Sequence, residues 1–302
     1  MIQALVILLS GVVFLLSLLG FPLENFQGYL FIFILLTVGI PHGALDHKIM
    51  FTTGSFSRKE KIKFYAVYVM LMMITGLCWL LNAQWSFILF LLISAFHFGQ
   101  SQLYYVRFKG LWNYLLYLTW GVMLLSAIIY LNIGECINFF YTLPQLQAHL
   151  FITPEIIGAN FIVSATIFTA MMIYALLKGK LSIANFGYEF LSLTIIVGIA
   201  ASTTAVTAFI MYFGLWHSLV SLILEYRHIR TQTPEISFGS FLKDLIPHST
   251  IAFLFLAVFY WYSYQTSWAI SPYMLFIILI SIITVPHLFV MGRMYNSFRL
   301  HS

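Results

Sequence analysis

Apolar residues run through the chain in long uninterrupted stretches separated by short polar breaks. Ten such stretches can be marked: Ile2–Leu19, Gly28–Phe51, Phe64–Leu81, Trp85–Tyr105, Leu111–Leu131, Glu155–Leu177, Glu189–Ala200, Thr203–Tyr226, His248–Tyr264 and Pro272–Met291. A helix needs about 20 predominantly apolar residues to cross a hydrocarbon layer. The pattern therefore predicts an all-α, polytopic transmembrane bundle of about ten spans, eight at the fewest. The seventh stretch is short, which predicts a tilted or re-entrant helix. Ile2–Leu19 has no basic residue before it and no small-residue cleavage site after it, so it reads as a retained first span.

Composition agrees and narrows the class. The 302 residues are 62% hydrophobic and only 8% charged, with a mean hydropathy of +0.96. Soluble domains carry about a quarter charged residues, so a soluble enzyme, a disordered chain and a disulfide scaffold are excluded. One integral membrane domain over 1–302 is expected. The net charge of +5 would suggest nucleic acid in a soluble protein; in a membrane protein it first reports orientation. Lys48, Arg58, Lys59, Lys61 and Lys63, then Arg107 and Lys109, Lys178 and Lys180, Arg227, Arg230 and Lys243, and finally Arg293 and Arg299 each follow or close an even-numbered span. The odd-span exits (Phe21–Gln27, Asn82–Gln84, Asn132–Thr153, around Ala201, and Gln265–Ser271) hold no Lys or Arg. This positive-inside pattern predicts ten spans with both termini cytoplasmic, in a cell inner (plasma) membrane. Cys78 and Cys136 make no metal-type pair.

Ionisable groups inside a bilayer are costly and usually functional, which directs attention to the nine histidines. His149, His228 and His301 fall in loops or the tail and read as solvated; His248 opens the ninth span at its inner edge. His42, His97, His217 and His287 differ. Each lies in an even-numbered span, roughly 12–15 residues from its outer end, or about 18–23 Å deep. Four helices running the same way thus carry one histidine each at one level, and His47 follows His42 by about a turn and a half. Imidazole is the commonest metal ligand, and a ring of neutral nitrogen donors suits a transition metal. Neither Cys nor Glu accompanies them at that depth, which argues against thiolate sites and carboxylate-bridged di-iron.

Polar neighbours accompany these histidines. Asp46 is four residues from His42, the spacing of a shared helical face, and can hold an imidazole N–H or pair with Lys48 at the membrane edge. Gln100 and Ser101 stand three and four residues after His97. Glu225 and Tyr226 fall two turns below His217, at the expected interface. Gly43 and Gly99 permit close helix approach. Three Pro-His pairs recur, at Pro41-His42, Pro247-His248 and Pro286-His287.

The strings Pro41-His42-Gly43-Ala44-Leu45-Asp46-His47, Phe96-His97-Phe98-Gly99-Gln100, Trp216-His217-Ser218 and Pro286-His287 resemble, in order, the signature segments of the Brp/Blh family of membrane β-carotene 15,15′-dioxygenases. The resemblance implies oxidative cleavage of the central double bond of β-carotene by O2, giving two retinal molecules, and supply of retinal to a rhodopsin. It implies a non-haem Fe(II) held by His42, His97, His217 and His287, with Asp46, His47 and Gln100 in support. Two departures stand out: Val220 and Ser221 occupy places where the family pattern continues to a further histidine, and Gln100-Ser101-Gln102 replaces acidic residues. A carotenoid is already dissolved in the bilayer, so an embedded enzyme receives it laterally, in a tunnel lined by apolar side chains.

Rival readings have their own signatures. A b-type haem protein pairs histidines within one helix, membrane desaturases show His-x-x-x-His boxes, and a retinal-binding pump needs a deep Lys. None of these is present. The remaining alternative is a membrane transporter or carrier that passes a metal ion along the same histidines.

Overall fold

The computed structural model describes residues 2–52, 54–106, 108–265 and 271–300; Arg107, His301 and most of the Gln265–Ser271 exit lie outside the described residues. All described elements are helical. In chain order they are α1 (Ile2–Leu18), α2 (Gln27–Ile34), α3 (Asp46–Phe51), α4 (Arg58–Leu81), α5 (Ala83–Leu103), α6 (Leu111–Leu131), α7 (Ile133–Tyr141), α8 (Pro154–Leu177), α9 (Ile183–Ser202), α10 (Ala205–Met211), α11 (Val220–Gln232), α12 (Phe238–Gln265) and α13 (Pro272–Leu300), with short 3-10 and π turns between some of them.

Nine helices among the described residues are long and apolar enough to cross a membrane, and Ile2–Leu18 is a shorter apolar helix of 17 residues. Each of the ten expected stretches thus falls on a helical run, two of which, Leu23–Phe51 and Ala205–Thr231, are continued through 3-10 or π turns that divide α2 from α3 and α10 from α11. The seventh is not short: α9 has 20 residues. Hydropathy alone loses its first two turns because Asn185, Tyr188 and Glu189 interrupt the apolar run. The Asn132–Thr153 stretch, expected as a loop, contains α7 and two 3-10 turns.

Helix starts follow local chemistry. The first N–H groups of a helix have no partner within it, and Ser or Thr oxygens satisfy them. Ser57 and Glu60 cap one another at α4. Thr153, Ser182 and Thr204 accept from the N–H groups of Ile156, Asn185 and Thr207.

The chain divides into two compact units. Unit 1 is Met1–Leu36 with Ser94–Val220, and unit 2 is Thr37–Ile93 with Ser221–Ser302. The core of unit 1 gathers α1, α6, α8 and α9 around Trp120, Tyr117, Phe168, Tyr212 and Trp216. Its α6 runs against α5 at backbone contact. A Cβ on Gly99 would stand 1.9 Å from the Tyr117 carbonyl oxygen, and one on Gly121 would stand 1.8 Å from that of Ala95. Only glycine permits that approach. Two polar anchors, one buried and one partly buried, complete the unit. Glu189, fully buried, accepts from Gln102 Nε2 at 3.0 Å and Tyr105 Oη at 2.5 Å; Glu135 accepts from the Ala205 N–H at 2.9 Å.

Unit 2 is organised by α13, which packs along α3 and α4. Trp79 Nε1 donates to Ser281 Oγ at 2.5 Å, and Ser221 Oγ lies 3.2 Å from Tyr295 Oη. Helix α11 continues to Gln232, two turns past the expected end of its span. As a result Glu225 and His228, expected at the interface and in a loop, are buried at 0% and 4% exposure.

Candidate metal centre

The four singled-out histidines are buried, at 8% (His42), 2% (His97), 1% (His217) and 4% (His287) exposure. Within unit 1, His97 on α5 and His217 have ring centres 4.8 Å apart, at 80° to one another. Within unit 2, His42 and His287 on α13 have ring centres 5.0 Å apart, at 84°. A histidine nitrogen binds a first-row metal at about 2.0–2.1 Å, which places each ring centre about 3.2 Å from the ion and the centres of two rings at ordinary ligand angles about 4.5–5.2 Å apart. Both pairs have the spacing of two ligands to one ion.

Local backbone explains how three of these side chains reach their places. His42 lies in a 3-10 turn, Pro41–Gly43, that follows a π-helical turn, Leu35–Gly39. His217 lies inside a π-helical stretch, Tyr212–Leu219. Pro286, inside α13, precedes His287 and removes one helical hydrogen bond. Such departures from α geometry concentrate at functional positions. His97 instead sits in a regular helix, its height set by the glycine contact two residues on.

The other ring nitrogen of three histidines is engaged. His287 Nδ1 stands 2.8 Å from Asp46 Oδ1, and Tyr68 Oη donates to Asp46 Oδ2 at 2.8 Å. His217 Nδ1 lies 3.0 Å from Ser101 Oγ. His42 Nδ1 hydrogen-bonds the Gly39 carbonyl. An imidazole whose Nδ1–H is held by an acceptor presents its Nε2 lone pair, and this is how proteins orient metal-binding histidines. Buried imidazoles, paired at ligand spacing and three of them held through Nδ1, fit a transition metal. Burial and the neighbouring Glu135 push the Cys136 thiol up to about 12.

Asp46 thus meets His287 rather than the His42 that sequence spacing suggested. The chain between them is a 3-10 turn followed by a helix that restarts at Asp46, so a four-residue separation there does not mean a shared face. Lys48 pairs with Asp244 at 2.7 Å and not with Asp46. Ser101, four residues after His97, reaches His217, whereas the side-chain amide oxygen of Gln100 has no hydrogen-bond partner among the described residues. Neither oxygen of Glu225 has one either. Gly43 gives His287 ordinary contact distance, 3.5 Å from a would-be Cβ to Nδ1. Tyr68 escaped the sequence reading; its only signal was that the second oxygen of a buried carboxylate also requires a donor.

No curated protein and no solved structure matches the chain. A family model does, that of beta-carotene 15,15′-dioxygenase, over residues 33–295. That stretch contains all four histidines, Asp46 and Tyr68. With most of its length matched, and with buried histidine pairs compatible with a metal site within the match, the chain belongs to the beta-carotene 15,15′-dioxygenase family of enzymes.

Proposed function

We propose that this membrane protein cleaves the central 15,15′ double bond of β-carotene with O2, each half taking one oxygen atom to give two molecules of retinal. His42, His97, His217 and His287 are the proposed ligands of a non-haem Fe(II). The observation that carries the reading is the pair of buried His–His contacts at ligand spacing inside a chain that the dioxygenase family model covers from 33 to 295.

The bound metal supplies the O2 chemistry, which is the cofactor's own. The chain's part is to hold and shield it. Asp46 accepts a hydrogen bond from the Nδ1–H of His287, and Tyr68 donates to the other carboxylate oxygen. Ser101 and the Gly39 carbonyl play the part of Asp46 for His217 and His42. Phe98 and Phe213 flank His217, with ring centres 4.9 and 5.7 Å away, and exclude water from that side. No protein acid or base is required, because the overall reaction neither consumes nor releases protons. β-Carotene, an apolar polyene, reaches the protein through the bilayer. The proposed location is the inner (plasma) membrane, with the termini in the cytoplasm and the retinal passing to a rhodopsin.

Expression in bacterial membranes that accumulate β-carotene, followed by chromatography of extracted pigments, tests this. Retinal as the product establishes central cleavage, and apocarotenals of unequal length would reject the assigned bond. Inserted protein that forms no product and retains no iron would overturn the enzyme in favour of a metal carrier.

A further inference from the structure

Two histidines lie outside the proposed ligand set: His47, which closes the Pro41–His47 string and was expected to support the centre, and His248 of the second Pro-His pair. They come from α3 and α12, 201 residues apart in sequence, yet their ring centres lie 4.8 Å apart with a tilt of 36°. That spacing equals the separation within His97–His217 and falls in the range for two imidazoles on one ion. Exposure separates this pair from the central histidines: His47 is half-buried and His248 is exposed. His248 Nδ1 is 3.3 Å from the Asp244 carbonyl oxygen one turn earlier, which leaves Nε2 as its ligand nitrogen.

A carboxylate lies one helical turn before His248. Asp244 shares the α12 face with His248, four residues away, and its Oδ2 is 2.7 Å from Lys48 Nζ, next in sequence to His47. The side chains of Lys48 and Asp244 are 38% and 36% exposed, so the ion pair is solvated and weak. Lysine is a point charge on a flexible stem that an incoming dication can displace.

We propose that His47, His248 and Asp244 form a second, water-accessible site for a divalent transition-metal ion, in which the metal takes the place of the Lys48 ammonium. Imidazole and carboxylate donors with water completing the sphere suit Fe(II) or Co(II). The site lies on the edge where the basic residues gather, which the positive-inside pattern assigns to the cytoplasm, and His47 adjoins Asp46, the partner of His287. It is therefore placed to receive iron before the buried centre does. That use rests on the four-histidine reading; the site itself does not.

Co(II) titration of the purified chain in lipid nanodiscs tests it, followed by d–d absorption and by dialysis with elemental analysis. Wild type should show two binding events of different affinity. His248→Ala, a change at an exposed position, should weaken the second event by at least about tenfold and keep the first. Lys48→Ala should tighten the second by about threefold, the scale of an exposed ion pair, a gain that misfolding cannot mimic. A single event in wild type, or a second event moved by neither variant, overturns the proposal. His42→Ala separates the two readings: it should remove the first event alone, and if it removes neither, the four-histidine centre fails while the second site stands.

Discussion

The two central histidine pairs share burial and spacing but are held by different forces. In unit 1, His97 and His217 are positioned by shape. Backbone touches backbone at Gly99 and Gly121, phenylalanines pack on His217, and the polar partner is a neutral serine hydroxyl. In unit 2, His42 and His287 are positioned by polar contacts. A carboxylate holds His287 and is itself held by a tyrosine, and a carbonyl holds His42. An anionic partner makes an imidazole a more basic ligand than a hydroxyl does. Shape therefore holds the pair in unit 1 and polar contacts hold the pair in unit 2, and the two fail differently when mutated.

The comparison breaks outright if one pair is dispensable. His97→Ala, His217→Ala, His42→Ala and His287→Ala should each remove iron and activity together, by more than the roughly 100-fold that losing an outer partner costs, while the protein still inserts. Iron content by elemental analysis and retinal formation in the same membranes check this. An iron-loaded, fully active variant removes that residue from the ligand set.

Glycine substitutions sharpen the claim about shape. Gly99→Ala puts a methyl 1.9 Å from a carbonyl oxygen, and neither helix backbone can yield as a side chain would. The cost should reach or exceed the upper end of the about 1–3 kcal/mol typical of overpacking. In unit 2, Gly43→Ala meets only ordinary contact at 3.5 Å and should leave stability within about 0.5 kcal/mol. Thermal aggregation midpoints of the two purified variants give the ranking; equal losses would show that shape matters alike in both units.

Exchange of the polar partners tests the other half. Asp46→Ala should lower iron affinity by about 10–100-fold and reduce activity without abolishing it. Ser101→Ala should cost less than about tenfold, because a neutral hydrogen bond contributes only about 1 kcal/mol. Iron dissociation constants by competition with a chelator settle the order. A larger loss for Ser101→Ala would overturn the advantage given to the anionic partner.

These contrasts also mark what the sequence could and could not disclose. The spans were legible because hydrocarbon thickness forces about 20 apolar residues per helix, and the four histidines because a buried imidazole among Leu and Phe has few bland explanations. Glu189 blurred the start of α9 because the partners that offset its burial, Gln102 and Tyr105, lie more than 80 residues away. The π turns before His42 and around His217 have no sequence signature. Asp46 stands four residues from His42, yet its imidazole partner is 241 residues away, because local periodicity breaks at the turn between the two. Charge partners are tertiary facts; hydrophobic length is a local one.

The finest test of the contrast is Tyr68→Phe. This change removes one oxygen from a half-buried ring and leaves packing nearly intact. Asp46 keeps its contact with His287 through Oδ1 but loses the donor on Oδ2. Two effects then oppose one another. The carboxylate, with one donor fewer, becomes a stronger acceptor for the His287 proton, which favours the metal-bound imidazole. Its orientation, though, is no longer fixed from the far side, and a wandering carboxylate holds the ring less well. Orientation should dominate, because ligand placement tolerates deviations of only about 0.5 Å. Iron affinity should fall by about threefold, less than for Asp46→Ala, with normal insertion and thermal midpoint. If Asp46→Ala is made first, Tyr68→Phe should add nothing, since the tyrosine acts only through the carboxylate. Full additivity in that double mutant would show that Tyr68 supports α4 packing instead, and the polar hold on His287 would then rest on Asp46 alone.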